Sequence, residues 1–440
     1  MSPTPSLPEV LARLDRFTNH EVASSSGITA GAIDGLSLDV MRHLCALSGD
    51  PHLAVPVIHV TGTNGKGSVA AMISRLLVAT GLTVGTYASP HLVSVHERIR
   101  RDGESIGDDD LAEVLDATIE IASLMDTPPS WFELVTCAAF RWFAESGVHV
   151  AVIEVGLLGR FDATNVVEST VSVITNVGGD HTDFALGWRS KVASEKAGII
   201  MAGGDVVLGQ LDAELDAAVA AEHPGRVIAV GRDIDVTRNE LALGGRDIDF
   251  VTPWARHDEV TLLVHGAHQA TNFAVATATV EAFFDRALDD DVVADAAAQV
   301  ILEGRSEVLG HQPLIVVDGA HNAEAALSLA TTIDEEFSVI GSRLAVIGML
   351  QGRDPRPFVE ALATARLDAV IATRPETPRG ADPAGLVAAC HEAGIAVQRI
   401  DDPRVAVATV LSRASEEDLV LVCGSYYLVG PARQQILLGT

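Results

Sequence analysis

Val55-Pro56-Val57-Ile58-His59-Val60 runs directly into Thr61-Gly62-Thr63-Asn64-Gly65-Lys66-Gly67-Ser68, and Val69-Ala70-Ala71-Met72-Ile73-Ser74-Arg75-Leu76-Leu77 follows. The first stretch is apolar but for His59 and ends at Val60, the pattern of a buried strand. The last predicts a helix that starts near Ser68 and stops at Gly81, a C-terminal cap. Between a strand and a helix, glycine-rich backbone N–H groups and the helix N-terminus can cradle phosphates, with Lys66 adding charge. The match to the general phosphate-loop pattern is incomplete. Position 60 is Val, and Gly67 separates Lys66 from the hydroxyl of Ser68.

The same alternation continues on both sides. His149–Gly156, Thr170–Gly178 and Asp205–Gly209 read as strands, and the Phe132–Ser146 stretch between them as a helix. Continuous apolar strands alternating with helices predict a mostly parallel sheet covered on both faces. Residues 1–50 read as helical. Residues 226–263 read as short antiparallel pieces, and His268–Phe284 as a return to helix. From about residue 300 a second set of α/β units predicts another parallel sheet of roughly five strands, from PLIVV, RLAVI, AVIA, IAVQR and LVLVC.

Composition narrows the function. The chain has 440 residues, 48% hydrophobic and 20% charged, which fits a two- or three-domain globular enzyme. A formal charge of −30 argues against nucleic-acid or anionic-membrane binding. An anionic substrate then needs a local positive cluster, and His96, Arg98, Arg100 and Arg101 are candidates. The N-terminus lacks a signal-peptide pattern, and no long apolar run is free of polar breaks. Cys45, Cys137, Cys390 and Cys423 form no close pair, the usage of a cytoplasmic protein. Lysine is scarce, with only Lys66, Lys191 and Lys196.

The phosphate loop in this form resembles that of the Mur ligase superfamily, and within it the folylpolyglutamate synthase/dihydrofolate synthase family. Further blocks share the resemblance, in family order: Ser89-Pro90-His91-Leu92 with His96-Glu97-Arg98-Ile99, Phe132-Glu133, Glu154-Val155-Gly156, Gly159-Arg160-Phe161-Asp162-Ala163-Thr164-Asn165, Asp180-His181-Thr182, Glu195-Lys196-Ala197-Gly198, His268-Gln269 with Asn272, Gly304-Arg305, Asp318-Gly319-Ala320-His321-Asn322 and Gly424-Ser425-Tyr426-Tyr427. The resemblance implies an ATP-binding domain over 1–299 and a smaller Rossmann-like glutamate-ligase domain over 300–440. It implies a cytoplasmic, monomeric, ATP-dependent ligase that adds L-glutamate to dihydropteroate or to folate (poly)glutamates. Making an amide in water requires an activated acid, and ATP supplies an acyl phosphate.

By resemblance, Asn64, Gly65, Lys66, Gly67, Ser68, Asn272, Arg305 and Asp318 hold ATP. Ser89, Glu154 and His181 hold one Mg2+, and a carbamylated Lys196 a second. His321 and Ser425 lie near the incoming glutamate, and Ile33, Asp34, Phe132, Phe161, Asp162 and Ala163 near the pteroate. Lys66, Lys196, His321 and Ser425 form the catalytic set. Lys196 also carries a physical argument: the apolar Ala-Gly-Ile-Ile after it suggests burial, burial favours a neutral amine, and that amine adds CO2. Trp131, Phe132 and Phe161 offer an apolar platform for a flat ring, and Asp162 an acceptor for its N–H groups. Three departures from the family pattern bear on substrate range: Leu158 replaces a glycine, Glu303 stands where proline is usual, and Arg353 replaces a lysine. The alternative reading is a Mur-type ligase acting on a non-folate carboxylate.

Overall fold

The computed structural model describes residues 5–19, 30, 37–179, 182 and 184–439. The candidate residues Ile33, Asp34 and His181 lie outside them. Eight strands form the first sheet: β1 (Val57–Thr61), β2 (Val84–Tyr87), β3 (Ile99–Arg101), β4 (Glu104–Ser105), β5 (Val150–Glu154), β6 (Ser169–Ile174), β7 (Asp205–Leu208) and β8 (Arg226–Ala229). Their order is β4-β3-β2-β5-β1-β6-β7-β8, parallel from β2 to β8, with β3 and β4 added as an antiparallel edge. Every residue of β1 and β5 is buried, because helices cover both faces. Ile58 and Val60 pack under the Lys66–Ala79 and His268–Phe284 helices, while Val57 and Ile153 pack under the Trp131–Glu145 helix.

A three-stranded antiparallel sheet follows, of β9 (Asp235–Ala242), β10 (Gly245–Val251) and β11 (Arg256–Leu262). The antiparallel excursion expected over 226–263 is therefore shorter. Arg226–Ala229 is the edge of the large parallel sheet, paired with β7. The third sheet contains β12 (Glu307–His311), β13 (Leu314–Asp318), β14 (Arg343–Ile347), β15 (Ala369–Ala372), β16 (Ala396–Arg399) and β17 (Leu419–Cys423), in the order β12-β13-β17-β14-β15-β16. Five of its strands are parallel, as expected. The sixth, β12, is antiparallel and half-buried, and its Glu-Val-Leu-Gly-His sequence lacks the apolar run that marks the others.

The small antiparallel sheet meets the second α/β unit through side chains that no motif announces. Arg246 on β10 donates to Glu336 at 2.6 Å, and both are nearly buried, at 6% and 3% exposure. His265 Nδ1 and the Gly266 N–H reach the same carboxylate at 2.9 and 3.0 Å. Glu336 ends the Ala323–Glu336 helix of the second α/β unit, and Gly266 leads into the His268–Phe284 helix of the first. Burial alone would raise the Glu336 carboxyl. The bonds from His265, Arg246 and Gly266 outweigh it and hold the group below the usual carboxylate range. A lowered carboxyl stabilises the fold above its unfolded value, and that contribution is lost as pH falls through the folded value. Glu336→Gln is expected to cost about 3 kcal/mol near neutral pH, since it leaves Arg246 buried beside a neutral amide. The variant's deficit should shrink in acid. Urea midpoints against pH check this, and a Gln variant as stable as the parent at pH 7 would refute it.

Candidate active site

The phosphate loop leaves the C-terminal end of β1, the central strand of the first sheet. Its helix begins at Lys66, two residues earlier than expected, because Gly65 caps it in the left-handed conformation at φ 81°. Asn176, just past β6, holds the loop from beneath. Its Oδ1 accepts from Thr63 N at 3.0 Å and Asn64 N at 2.9 Å. Gly62 lies against Thr175 so closely that a Cβ would collide with its hydroxyl. Lys66 Nζ donates to the carbonyls of Gly62 and Thr63 at 3.1 and 3.3 Å. Glu154 ends β5 beside Val60 and accepts from Ser89 N at 3.1 Å. Burial raises its carboxyl, and the charges of Lys66 and Arg305 oppose that rise.

The second α/β unit closes over this loop. The Arg305 guanidinium lies against Gly67 and over the Tyr426 ring, 5.7 Å from the centroid, so a Cβ on Gly67 would strike it. Asp318 ends β13 and accepts from the N–H groups of Ala320 and Ser306, each at 2.7 Å. Burial raises its carboxyl and these bonds counter it. Asn322 and Glu324 reach Asn64 at 2.9 and 3.2 Å. Asn272 stands over Gly65 from the first unit and donates to Gln269. His321 Nδ1 donates to the Gly319 carbonyl at 2.7 Å. Ser425 caps the Tyr426–Leu438 helix and is buried. These groups surround one cavity of about 610 Å3, lined from both units.

The Mur ligase middle-domain model matches residues 60–280, and the Mur ligase glutamate-ligase-domain model matches 304–426. Dihydrofolate synthase/folylpolyglutamate synthase of Mycobacterium tuberculosis is 35% identical over 380 residues, covering 81% of this chain and 78% of its own length. The chain belongs to the folylpolyglutamate synthase/dihydrofolate synthase family. The Mycobacterium tuberculosis folylpolyglutamate synthase complexed with ADP and AMPPCP superposes with a TM-score of 0.88 at 32% identity, over 98% of each chain. Escherichia coli FolC in complex with DHPP and ADP gives 0.84 at 28%, again over 98% of each.

Within that family frame, the cavity gathers Asn64 to Ser68, Ser89, Phe132, Glu154, Phe161, Asp162, Ala163, Asn272, Arg305, Asp318, His321 and Ser425. Lys196 is buried as expected, at 3% exposure, and is not among the cavity-lining residues; its Cα lies against Gly159. Asn176, Gln269, Glu324, Arg353, Arg379 and Tyr426 also line the cavity and were not among the candidates. Gln269 and Tyr426 lay within quoted blocks, and Arg353 was one of the departures. Asn176 and Arg379 belong to strand-end loops, where one sequence carries no signal of direction.

Several expectations change. Trp131 is no part of an open platform: it is buried beneath the Arg98 guanidinium, 4.8 Å from its ring. Phe132 and Phe161 do reach the cavity. Asp162 is occupied by internal bonds, accepting from Leu157 N at 2.7 Å, Thr164 N at 3.0 Å and Thr164 Oγ1 at 2.6 Å, so it shapes the loop as a cap. The basic cluster is already engaged by neighbouring side chains. Arg98 is buried and donates to His91, Arg100 pairs with Glu303, and His96 with Asp108. Leu158 is not among the residues that line the cavity. It adopts φ 57°, where glycine fits best, and turns its side chain into the core beside Val192, Ala193 and Ala197.

Proposed function

We propose that this chain is an ATP-dependent ligase that joins the amino group of L-glutamate to the carboxylate of dihydropteroate or of a folate (poly)glutamate, releasing ADP and phosphate. The observation that carries the reading is the single cavity in which a phosphate loop faces Arg305, Asp318 and His321 from the other unit. Lys66, the N-terminus of the Lys66–Ala79 helix and Arg305 neutralise the polyphosphate. The substrate carboxylate attacks the γ-phosphorus and ADP leaves. Positioning and charge, rather than covalent help, lower that barrier. The glutamate amine then attacks the acyl carbon and phosphate departs. His321 Nε2 is placed to take the amine's proton. Arg353, whose guanidinium donates to the His321 carbonyl at 2.8 Å, and Arg379 supply positive charge for a dianionic amino acid.

Glu154 fits a Mg2+ ligand: it is a buried carboxylate in the cavity wall, a hard oxygen donor beside Ser89. With His181 it would hold one ion and a carbamylated Lys196 a second, and these ions would supply further charge neutralisation. On this reading the protein works as a cytoplasmic monomer. Among the described residues, no helix is long and apolar enough to cross a membrane.

Phe132, Phe161 and Ala163 offer the acid's ring an apolar slot. Side-by-side kinetics of glutamate-dependent ADP release should show turnover with dihydropteroate and with a reduced folate monoglutamate. Extension of the monoglutamate alone would remove the first-glutamate assignment. Turnover of neither, with a different acid accepted, would remove the folate reading.

A further inference from the structure

Glu303, the residue found where proline is usual, sits at the seam between the two α/β units. Its carboxylate takes Arg100 Nη2 from β3 at 2.6 Å and Arg433 Nη2 from the C-terminal helix at 3.3 Å. Arg433 Nε in turn meets both oxygens of Glu307 at 2.9 Å. Glu307 also accepts from Gly304 N at 2.7 Å, and the Glu303 carbonyl accepts from Arg305 Nη1 at 3.2 Å. The turn that carries Arg305 is thus gripped on both sides by one alternating set of charges.

Arg100 has its own connection to the site. Its Nε donates to the Glu97 carbonyl at 3.2 Å, and the Glu97 carboxylate gathers the N–H groups of Leu92, Val93 and Ser94 at 2.7, 3.0 and 2.9 Å. That knot starts three residues after Ser89, whose N–H meets Glu154. Leu92 itself is wedged against Gly304, Val429 and Gly430. One side of Glu303 therefore leads to Arg305 over the phosphate loop, and the other to Ser89 and Glu154.

We infer that Glu303 is a positioning residue, which sets Arg305 against the phosphate loop by tying its turn to Arg100 across the seam. The inference rests on the ATP-site reading above. Arg100 and Glu303 are each nearly 30% exposed, so the pair is weak as a stabiliser and sensitive to salt. Its effect lies in aim: a misplaced charge at a phosphoryl-transfer site loses rate without loss of fold.

The experiment is a double-mutant cycle on the full chain with Glu303→Gln and Arg305→Ala, read as glutamate-dependent ADP release at low and high salt. In the parent background, Glu303→Gln should lower kcat on the order of tenfold with the acid's KM and the melting temperature unchanged. In the Arg305→Ala background it should add nothing. High salt should bring the parent towards the variant. Arg100→Gln should reproduce the defect from the other side of the seam. An equal loss in both backgrounds, or no loss in either, overturns the proposal. An Arg305→Ala enzyme with parental turnover would instead overturn the placement of ATP at Arg305, and the positioning role with it.

Discussion

Lys66→Ala leaves a folded protein whose ADP release falls on the order of 10³-fold. The size follows from what the lysine faces. Its Nζ is held 3.1 Å from the Gly62 carbonyl, in a loop that lines the cavity from Thr63 to Ser68. Within the loop it is the sole full positive charge, and Arg305 must cross the seam to add another. Charge that builds on the transferring phosphoryl group in this walled space is screened far less than in water. The fold does not depend on it. The loop is strapped down by Asn176, Thr175 and the Thr63–Gly178 bonds, all independent of the ammonium. Lys66→Arg should recover only part of the rate, because a planar fork does not substitute for a compact ammonium. Single-turnover ADP formation with circular dichroism as the fold control measures this. Parental turnover by the alanine variant would remove the phosphate-loop assignment.

What the chain discloses without a structure follows a physical division. Val57–Thr61 and Val150–Glu154 are legible because strands buried on both faces are mostly apolar, and the glycines of the loop because a Cβ there would meet Thr175, Asn272 or Arg305. The helix start moved to Lys66 because Gly65 takes a left-handed turn, which no local propensity specifies. β12 was missed because an edge strand is only half-buried and needs no apolar run.

The site divides in the same way. Lys66, Glu154 and Asp318 sit at strand ends or in the glycine turn, where topology and chemistry coincide. Asn176, Glu336 and Glu303 act through partners that fold back from 112, 90 and 203 residues away. Pairing of that kind has no sequence period. The same reason hides the internal bonds of Arg98 and Asp162 from the sequence. Arg98 donates to His91 and Asp162 accepts from Thr164, while Asp162 also lines the cavity.

Lys196 carries the other large effect. It lies in the last turn of the Trp188–Ala197 helix, with 3% exposure. Its Cα backs onto Gly159, where a Cβ would come within 3.2 Å of it, and Arg160 N donates to the Glu195 carbonyl at 2.8 Å. The helix that presents Lys196 is therefore fastened to the loop leaving Glu154. Burial disfavours an ammonium, and a neutral amine adds CO2 to give a carbamate and a proton. We propose that this modification converts the neutral Lys196 amine to an anionic oxygen donor for a second metal ion. Lys196→Ala should then lose on the order of 10²-fold in activity, as removal of a ligand-shell group does, and a short carboxylate in the buffer should restore part of it. The informative contrast lies between two further variants. Lys196→Arg keeps the charge and cannot form the carbamate, so it should be as poor as alanine. Lys196→Glu reverses the charge yet supplies a carboxylate, so it should retain more activity. A structural lysine predicts the opposite order. Intact-protein mass spectrometry under bicarbonate, and activity after CO2 depletion and its return, test the modification apart from the variants. Arginine at 196 with near-parental turnover, or activity indifferent to CO2, would show that the buried amine serves packing alone.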